Sequence, residues 1–312
     1  MVGNSEKKRH TKLEVLYDLA NRLTGGILGI VCDAFQHFGN ASAAEAAASI
    51  TFYAFFSLFP FLLALIVGGS FVLESEQVQE WVFDVVAKTL PIAERLIERN
   101  IQVVLVRRGT VGLIALVSLV WSASSVLTIL ARNINRAWPQ AEIRGFVENR
   151  LMALGMVTGL VVLLVISSVS STVLNVLARF SVPLGGGVSV GETPLWATFL
   201  STLPRILVFF AVLGLYRWVP NADVKWSDAF WGALVATPAG EIATNGFSWY
   251  LSTGIIRYEL VYGSLGTVVA LMLWIYIGIL IILFGAHLAA AVTRYRCSKQ
   301  QMENGLSAQA ID

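Results

Sequence analysis

Two ionisable residues, Arg205 and Glu241, stand inside long apolar stretches of this 312-residue chain. A charged side chain at the centre of a membrane helix costs about 3 kcal/mol on insertion scales, so such groups pair or face a polar space. Arg205 lies ten residues into one apolar stretch, and Glu241 lies ten residues before the end of the next. The two stretches run antiparallel through a short connection at 221–225. Both side chains therefore reach a similar depth, about 15 Å along their helices. Two roles are open to the pair: an ion pair that specifies the fold, or the lining of a polar cavity that receives a charged substrate group. Pro204 and Pro238 lie within three residues of the charges. Proline frees a backbone carbonyl and bends a helix, and irregular backbone is tolerated in a membrane only when buried in protein or lining a cavity. The prolines tilt the choice towards a cavity. Thr237, Glu241, Asn245 and Ser248 continue the polar stripe on one helical face.

Further candidates lie on other stretches. Glu45, Ser49, Tyr53 and Ser57 recur every four residues in the first apolar run and share a face. Glu45 sits near the boundary of that run, where a plain interfacial carboxylate competes with a substrate role. The candidate substrate-binding set is Arg205, Glu241, Asn245, Glu45 and Tyr53. Arg132, Asn135 and Arg136 close the second run beside Trp138. They suit an interfacial anchor, and equally contacts to anionic lipid headgroups. Ser118, Ser122 and Ser125, then Ser167, Ser168 and Ser171, fit close helix packing better than transport, as does Gly155-xxx-Gly159.

Several chemistries find no support. The chain has three histidines, His10, His37 and His287, and no two are at metal-ligand spacing. The two cysteines, Cys32 and Cys297, suffice for neither a zinc site nor an expected disulfide. There is no Gly-x-Ser-x-Gly elbow and no phosphate-binding glycine loop. No enzymatic activity and no cofactor are expected. A net charge of +2 implies no specific nucleic-acid partner.

The elements that carry these residues are apolar helices. Six runs, at 44–73, 111–131, 151–178, 195–218, 229–251 and 265–292, each match the about 20 residues needed to cross hydrocarbon. The chain is 56% hydrophobic and 13% charged, with a mean hydropathy of +0.71. The expected fold is all-α, a polytopic membrane protein with a bundle of six transmembrane helices spanning 44–292. Residues 1–12 are polar and basic without a short apolar core after them, so the first span is expected to act as its own insertion signal. Lys7, Lys8, Arg9, Lys12 and Arg22 share a side with Arg132, Arg136, Arg144 and Arg150, with Arg217 and Lys225, and with Arg294, Arg296 and Lys299. Six alternating crossings put all of them in the cytoplasm, together with both termini and the tail 293–312. The segment 1–43 is expected to be cytoplasmic or interfacial, its helical periodicity over 13–38 weakened at Gly25-Gly26. Residues 74–110 on the opposite side are expected to form an extramembrane helical hairpin broken at Pro91.

Several segments resemble the YihY/BrkB family of bacterial inner-membrane proteins. They are Ala47-Ala48-Ser49-Ile50-Thr51-Phe52-Tyr53-Ala54-Phe55-Phe56-Ser57-Leu58-Phe59-Pro60, Asn133-Ile134-Asn135-Arg136-Ala137-Trp138, Val219-Pro220-Asn221 with Trp226, and Tyr262-Gly263-Ser264-Leu265-Gly266. Leu283-Phe284-Gly285-Ala286-His287-Leu288 is similar to the family's close of span six, with His287 where an acidic residue is expected. The resemblance implies a six-helix protein of the bacterial inner membrane. Family members have been linked to serum resistance and to envelope lipid export, and some carry an older label of tRNA-processing ribonuclease. The histidine count argues against that label here. The function expected is transport or export of an amphipathic, lipid-like anion, with membrane lipids as partners. The alternative is a non-transporting envelope scaffold that uses the outer hairpin as a binding surface. Oligomeric state is not legible.

Overall fold

The computed structural model describes residues 26–72, 108–142, 144–179, 194–252 and 264–309. Among these residues there are seven helices: α1 (Ile27–Asn40), α2 (Ala43–Val72), α3 (Arg108–Asn135), α4 (Phe146–Arg179), α5 (Pro194–Trp218), α6 (Trp226–Ser252) and α7 (Ser264–Gln309). Stretches of α2, α3, α4 and α7 are long and apolar enough to cross a membrane, namely Ala43–Phe61, Val117–Asn135, Phe146–Leu163 and Val268–Gln301. Helices α5 and α6 have 25 and 27 residues, which is length enough to cross. Helix α6 is the more polar, carrying Asp228 and Glu241 besides its hydroxyl and amide residues. Of the expected hairpin at 74–110, residues 74–107 lie outside the described residues and 108–110 open α3; residues 1–25 of the N-terminal segment also lie outside the described residues. Helix α1 begins at Ile27, directly after the glycine pair where the periodicity weakens. Helix α7 does not end at Val292. It continues to Gln309 through what the sequence suggested as a tail.

Helix α7 is the centre of the packing, with α1, α2 and α6 laid against it, while α2 packs on α3 and α5 on α6. The reason is its residue pattern. Ala286, Ala289 and Ala290 are fully buried, and Leu283 lies among them. Small residues let helix backbones approach closely, which supplies the dispersion contacts that hold helices together in lipid. The closest approach is at Gly232 of α6 and Gly285 of α7. A Cβ on Gly232 would meet the Gly285 carbonyl and, at 2.9 Å, the Ala289 methyl. A Cβ on Gly285 would meet the Tyr216 hydroxyl and, at 2.8 Å, the Ala236 methyl. The phenol of Tyr216, fully buried on α5, donates to the Ile282 carbonyl at 2.8 Å. One hydroxyl thus ties α5 to α7 across the seam that the glycines keep narrow.

Among the described residues, the buried apolar side chains lie towards one end of the bundle. They run from Ala34 to Ile50, from Leu130 to Ala153, from Leu213 to Ala236 and from Ile279 to Ala291. This is the end that holds the connections 136–145 and 219–225. Towards the other end Phe52, Phe56, Val161, Val162, Phe210, Ile242 and Trp249 are exposed. Apolar surface of that extent marks contact with lipid.

Gly285→Val should strain the seam by about 1–3 kcal/mol, the usual cost of overpacking a close contact. Gly278→Ala on the same helix has nothing within 4 Å of the new methyl and should be neutral. Thermal unfolding of the two variants in detergent checks the contrast, and equal midpoints would refute the close approach.

Candidate functional site

Arg205 and Glu241 meet. The Arg205 Nε lies 2.6 Å from Glu241 Oε1, with 57% of the arginine side chain and 40% of the glutamate side chain exposed. The register follows from the connection: Trp218 and Trp226 stack edge to face at 5.9 Å where α5 turns into α6. Arg205 is thirteen residues before the first and Glu241 fifteen after the second. Both therefore lie about 20 Å up their helices from that turn. Arg205 stands on the stripe of Phe209, Leu213 and Tyr216, spaced four, four and three residues apart, which is the packed side of α5. Phe209 touches Phe230 of α6 at 5.6 Å, so the seam below the ion pair is closed by rings. The pair sits beyond this ring contact, farther from the connection 219–225.

One turn below Glu241, the Thr237 hydroxyl is buried without a hydrogen-bond partner. Among the described residues it shares this with Trp138 Nε1, Arg217 Nε and His287 Nδ1, and it is the one of the four on the stripe of Glu241. Further up the stripe, Thr244 and Ser248 return their hydroxyls to the Gly240 and Thr244 carbonyls, both at 2.9 Å, and Asn245 is exposed. Glu45 and Tyr53 are exposed on α2, which packs on α1, α3 and α7. The sequence set is therefore gathered in part: Arg205, Glu241 and Asn245 on the α5–α6 pair, Glu45 and Tyr53 on a separate helix.

The basic turn after α3 has a different organisation. Asn135 accepts from the Asn221 backbone N–H at 2.7 Å through Oδ1 and donates to the Glu142 carbonyl at 3.1 Å through Nδ2. The Asn221 side chain donates to the same carbonyl at 3.3 Å. Arg144 donates to the Val219 carbonyl. Burial holds the Arg144 guanidinium below its ordinary pKa, while the charge of Glu148 raises it. Asn135 thus spends its amide joining the two connections. Arg132 is exposed, and Arg136 reaches only the Asn133 side chain, at 3.3 Å.

Five residues that sequence reasoning did not select as a site form an electrostatic clamp on the same side. Arg294 of α7 donates to Asp33 Oδ2 of α1 through Nη2 at 2.7 Å and Nε at 2.9 Å, and to the Ala137 carbonyl at 3.0 Å. His37 lies 3.0 Å from the other oxygen of Asp33. Arg296 pairs with Asp228, which is 1% exposed at the start of α6 and also accepts from Thr293 at 3.1 Å. Asp33 and Arg294 are 261 residues apart, and no local pattern links them. The only signal was an acidic residue in the first turn of a span, Asp228, opposite a basic helix end. His287 is buried against the Phe38 ring at 5.6 Å, its Nδ1 unpartnered.

The fold defines a class, a helical integral membrane protein that crosses the bilayer several times. The chain belongs to the family described as virulence factor BrkB, whose profile matches residues 34–309. Its relatives include a UPF0761 membrane protein of Methylibium petroleiphilum, 32% identical over 59% of this chain and 42% of that protein. A UPF0761 membrane protein of Legionella pneumophila is 29% identical over 83% of this chain and 62% of its own length. One from Vibrio cholerae is 42% identical over 94 residues, which are 30% of this chain and 31% of that protein. The chain spans less than two thirds of the length of each of these relatives. No solved structure matches it.

Arg296→Ala would leave the Asp228 carboxylate buried without its cation and should cost about 3 kcal/mol. Removing both charges in Asp228→Asn/Arg296→Gln should restore most of that loss. Unfolding in mixed detergent micelles measures it; a single variant as stable as the parent would show that the clamp contributes nothing.

Proposed function

We propose that the protein is a six-crossing transporter of the bacterial inner membrane, with both termini in the cytoplasm, that moves an amphipathic, lipid-like anion. The observation that carries this reading is an ion pair that is formed yet more than half open on its cationic side. A guanidinium facing acyl chains costs about 3 kcal/mol, so its free donors are better matched to water or to an anionic headgroup. Arg205 has five N–H donors in a planar fork suited to phosphate or carboxylate. Glu241 engages one of them and serves as the resting counter-ion; an arriving anion takes over that role. Thr237, buried and unpartnered one turn below, adds a donor to the same polar stripe. Below the site Phe209 packs on Phe230 and Tyr216 ties α5 to α7 at the glycine seam, which supports entry from the direction away from the connection 219–225. Closure on one side and opening on the other is the arrangement that alternating access requires. No covalent step enters this reading; the residues bind and release.

Arg205→Ala should abolish movement of fluorescent anionic phospholipid between leaflets of reconstituted vesicles, while circular dichroism and thermal midpoint stay near those of the parent. Arg205→Lys, which keeps a charge but loses the fork, should retain part of the rate. Transport unchanged in the alanine variant would remove the arginine from the mechanism. A parent protein that moves no lipid at all would favour the scaffold alternative.

A further inference from the structure

A second surface, on the outside of α3 and α4 and separate from the ion pair, has the chemistry of a lipid site. Arg150 of α4 lies flat over the Trp121 ring of α3, its guanidinium carbon 4.4 Å from the ring centroid. It is held there by Nη1 donating to Ser125 Oγ at 3.1 Å and Nη2 donating to the Trp121 carbonyl at 3.2 Å. These bonds use two of its five donors and leave the rest of the fork unengaged by protein. Among the described residues no carboxylate forms an ion pair with Arg150, Arg132 or Arg136. Glu148, two residues before Arg150, turns to the Gly145 N–H at 3.1 Å.

The positions form a line. Trp121, Ser125 and Arg132 follow on α3 at intervals of four and seven residues, so they share one helical face, and Arg136 continues it in the turn just after the helix, its backbone N–H donating to the Arg132 carbonyl at 3.1 Å. Above them on that face stand Ile114 and Val117, each 61% exposed, and Trp121 is 66% exposed. The surface is therefore graded along the helix. An apolar track comes first, then an exposed indole carrying a stacked guanidinium, then two exposed arginines towards the connection 136–145. A phospholipid is graded in the same order: acyl chains, an interfacial ester region, and an anionic headgroup.

We propose that this face is a specific binding site for one anionic phospholipid of the leaflet on the side of the connection 136–145. Its phosphate lies against Arg150 above Trp121, and its headgroup charge is met by Arg132 and Arg136. The acyl chain runs over Val117 and Ile114. Ring stacking fixes the Arg150 fork before the lipid arrives, so little side-chain freedom is lost on binding. The site does not depend on the transport reading, since it lies on the outer face of other helices.

The test uses the full-length protein in phosphatidylcholine vesicles doped with bromine-chain phosphatidylglycerol, or with bromine-chain phosphatidylcholine at the same mole fraction. The chain has nine tryptophans, so the signal of Trp121 is taken as the difference from Trp121→Phe. That signal should be quenched preferentially by the phosphatidylglycerol. Each cation near an anionic headgroup is worth about 1 kcal/mol, so Arg150→Gln and Arg132→Gln should each lower the preference about fivefold. Arg132 is exposed and its side chain makes no hydrogen bond or ion pair among the described residues, so its variant keeps the test decisive if Arg150→Gln unfolds. Arg150→Lys should keep most of the preference. Equal quenching by the two lipids, or a preference that survives in Arg132→Gln, would overturn the proposal. Loss of the preference on adding inorganic phosphate would overturn the lipid as occupant.

Discussion

The close approach of α6 to α7 at Gly232 and Gly285, bridged by the buried Tyr216 hydroxyl, is the contact on which the bundle depends. Lipid gives helices no hydrophobic reason to associate, so the association rests on surface fit and on a few internal hydrogen bonds. A run of alanines on α7 makes that fit possible for α1, α2 and α6 at once. The phenol adds α5 through a single bond of 2.8 Å. Where the small residues stop, the side chains of the neighbouring helices become exposed, and the packed half ends.

The charges are arranged in two tiers around that seam. At the connection side, Asp228 is almost wholly withdrawn from solvent and Asp33 is partly so, each held by a cation from α7. An isolated carboxylate in that position would be expensive; the arginines pair with both, Thr293 donates to Asp228, and Arg294 donates its remaining Nη1 to the Ala137 carbonyl. These groups act as fasteners: Arg294 bonds through all three of its guanidinium nitrogens, and the buried Asp228 carboxylate accepts from Arg296 and Thr293. The upper tier differs. Arg205 and Glu241 share one short contact and keep most of the arginine surface open, so this pair can exchange partners. The two tiers thus differ in exposure: the Asp228 carboxylate is 1% exposed, whereas Arg205 and Glu241 are 57% and 40% exposed.

Arginine contributes in three settings here. In the clamp, Arg294 uses both the planar fork and a carbonyl contact to join α1, α7 and the connection after α3. In the connections, Arg144 fastens one loop to the other through the Val219 carbonyl. On the outer face, Arg150 is stacked on an indole with donors to spare. The same side chain serves as rivet and strut, and at Arg150 it is a stacked cation that makes two hydrogen bonds, to Ser125 and to the Trp121 carbonyl.

Much of this was present in the one-dimensional pattern. Apolar runs of sufficient length fix the membrane class, because no soluble core needs them, and the glycine pair at 25–26 marks where α1 begins. Counting residues through a short connection also placed Arg205 and Glu241 at one depth, since an antiparallel pair of regular helices leaves little freedom in register. Other features had no local signature. Asp33 finds Arg294 across 261 residues, Asn135 turns from a headgroup candidate into a joist between loops, and Arg150 settles on Trp121 of a neighbouring helix. Each depends on which helix lies beside which, and the sequence encodes that only through diffuse shape complementarity. Periodicity determined what each helix is and how deep its charges lie; the tertiary structure decided which charges are saturated and which remain open, because bonding capacity is consumed by neighbours that only packing supplies.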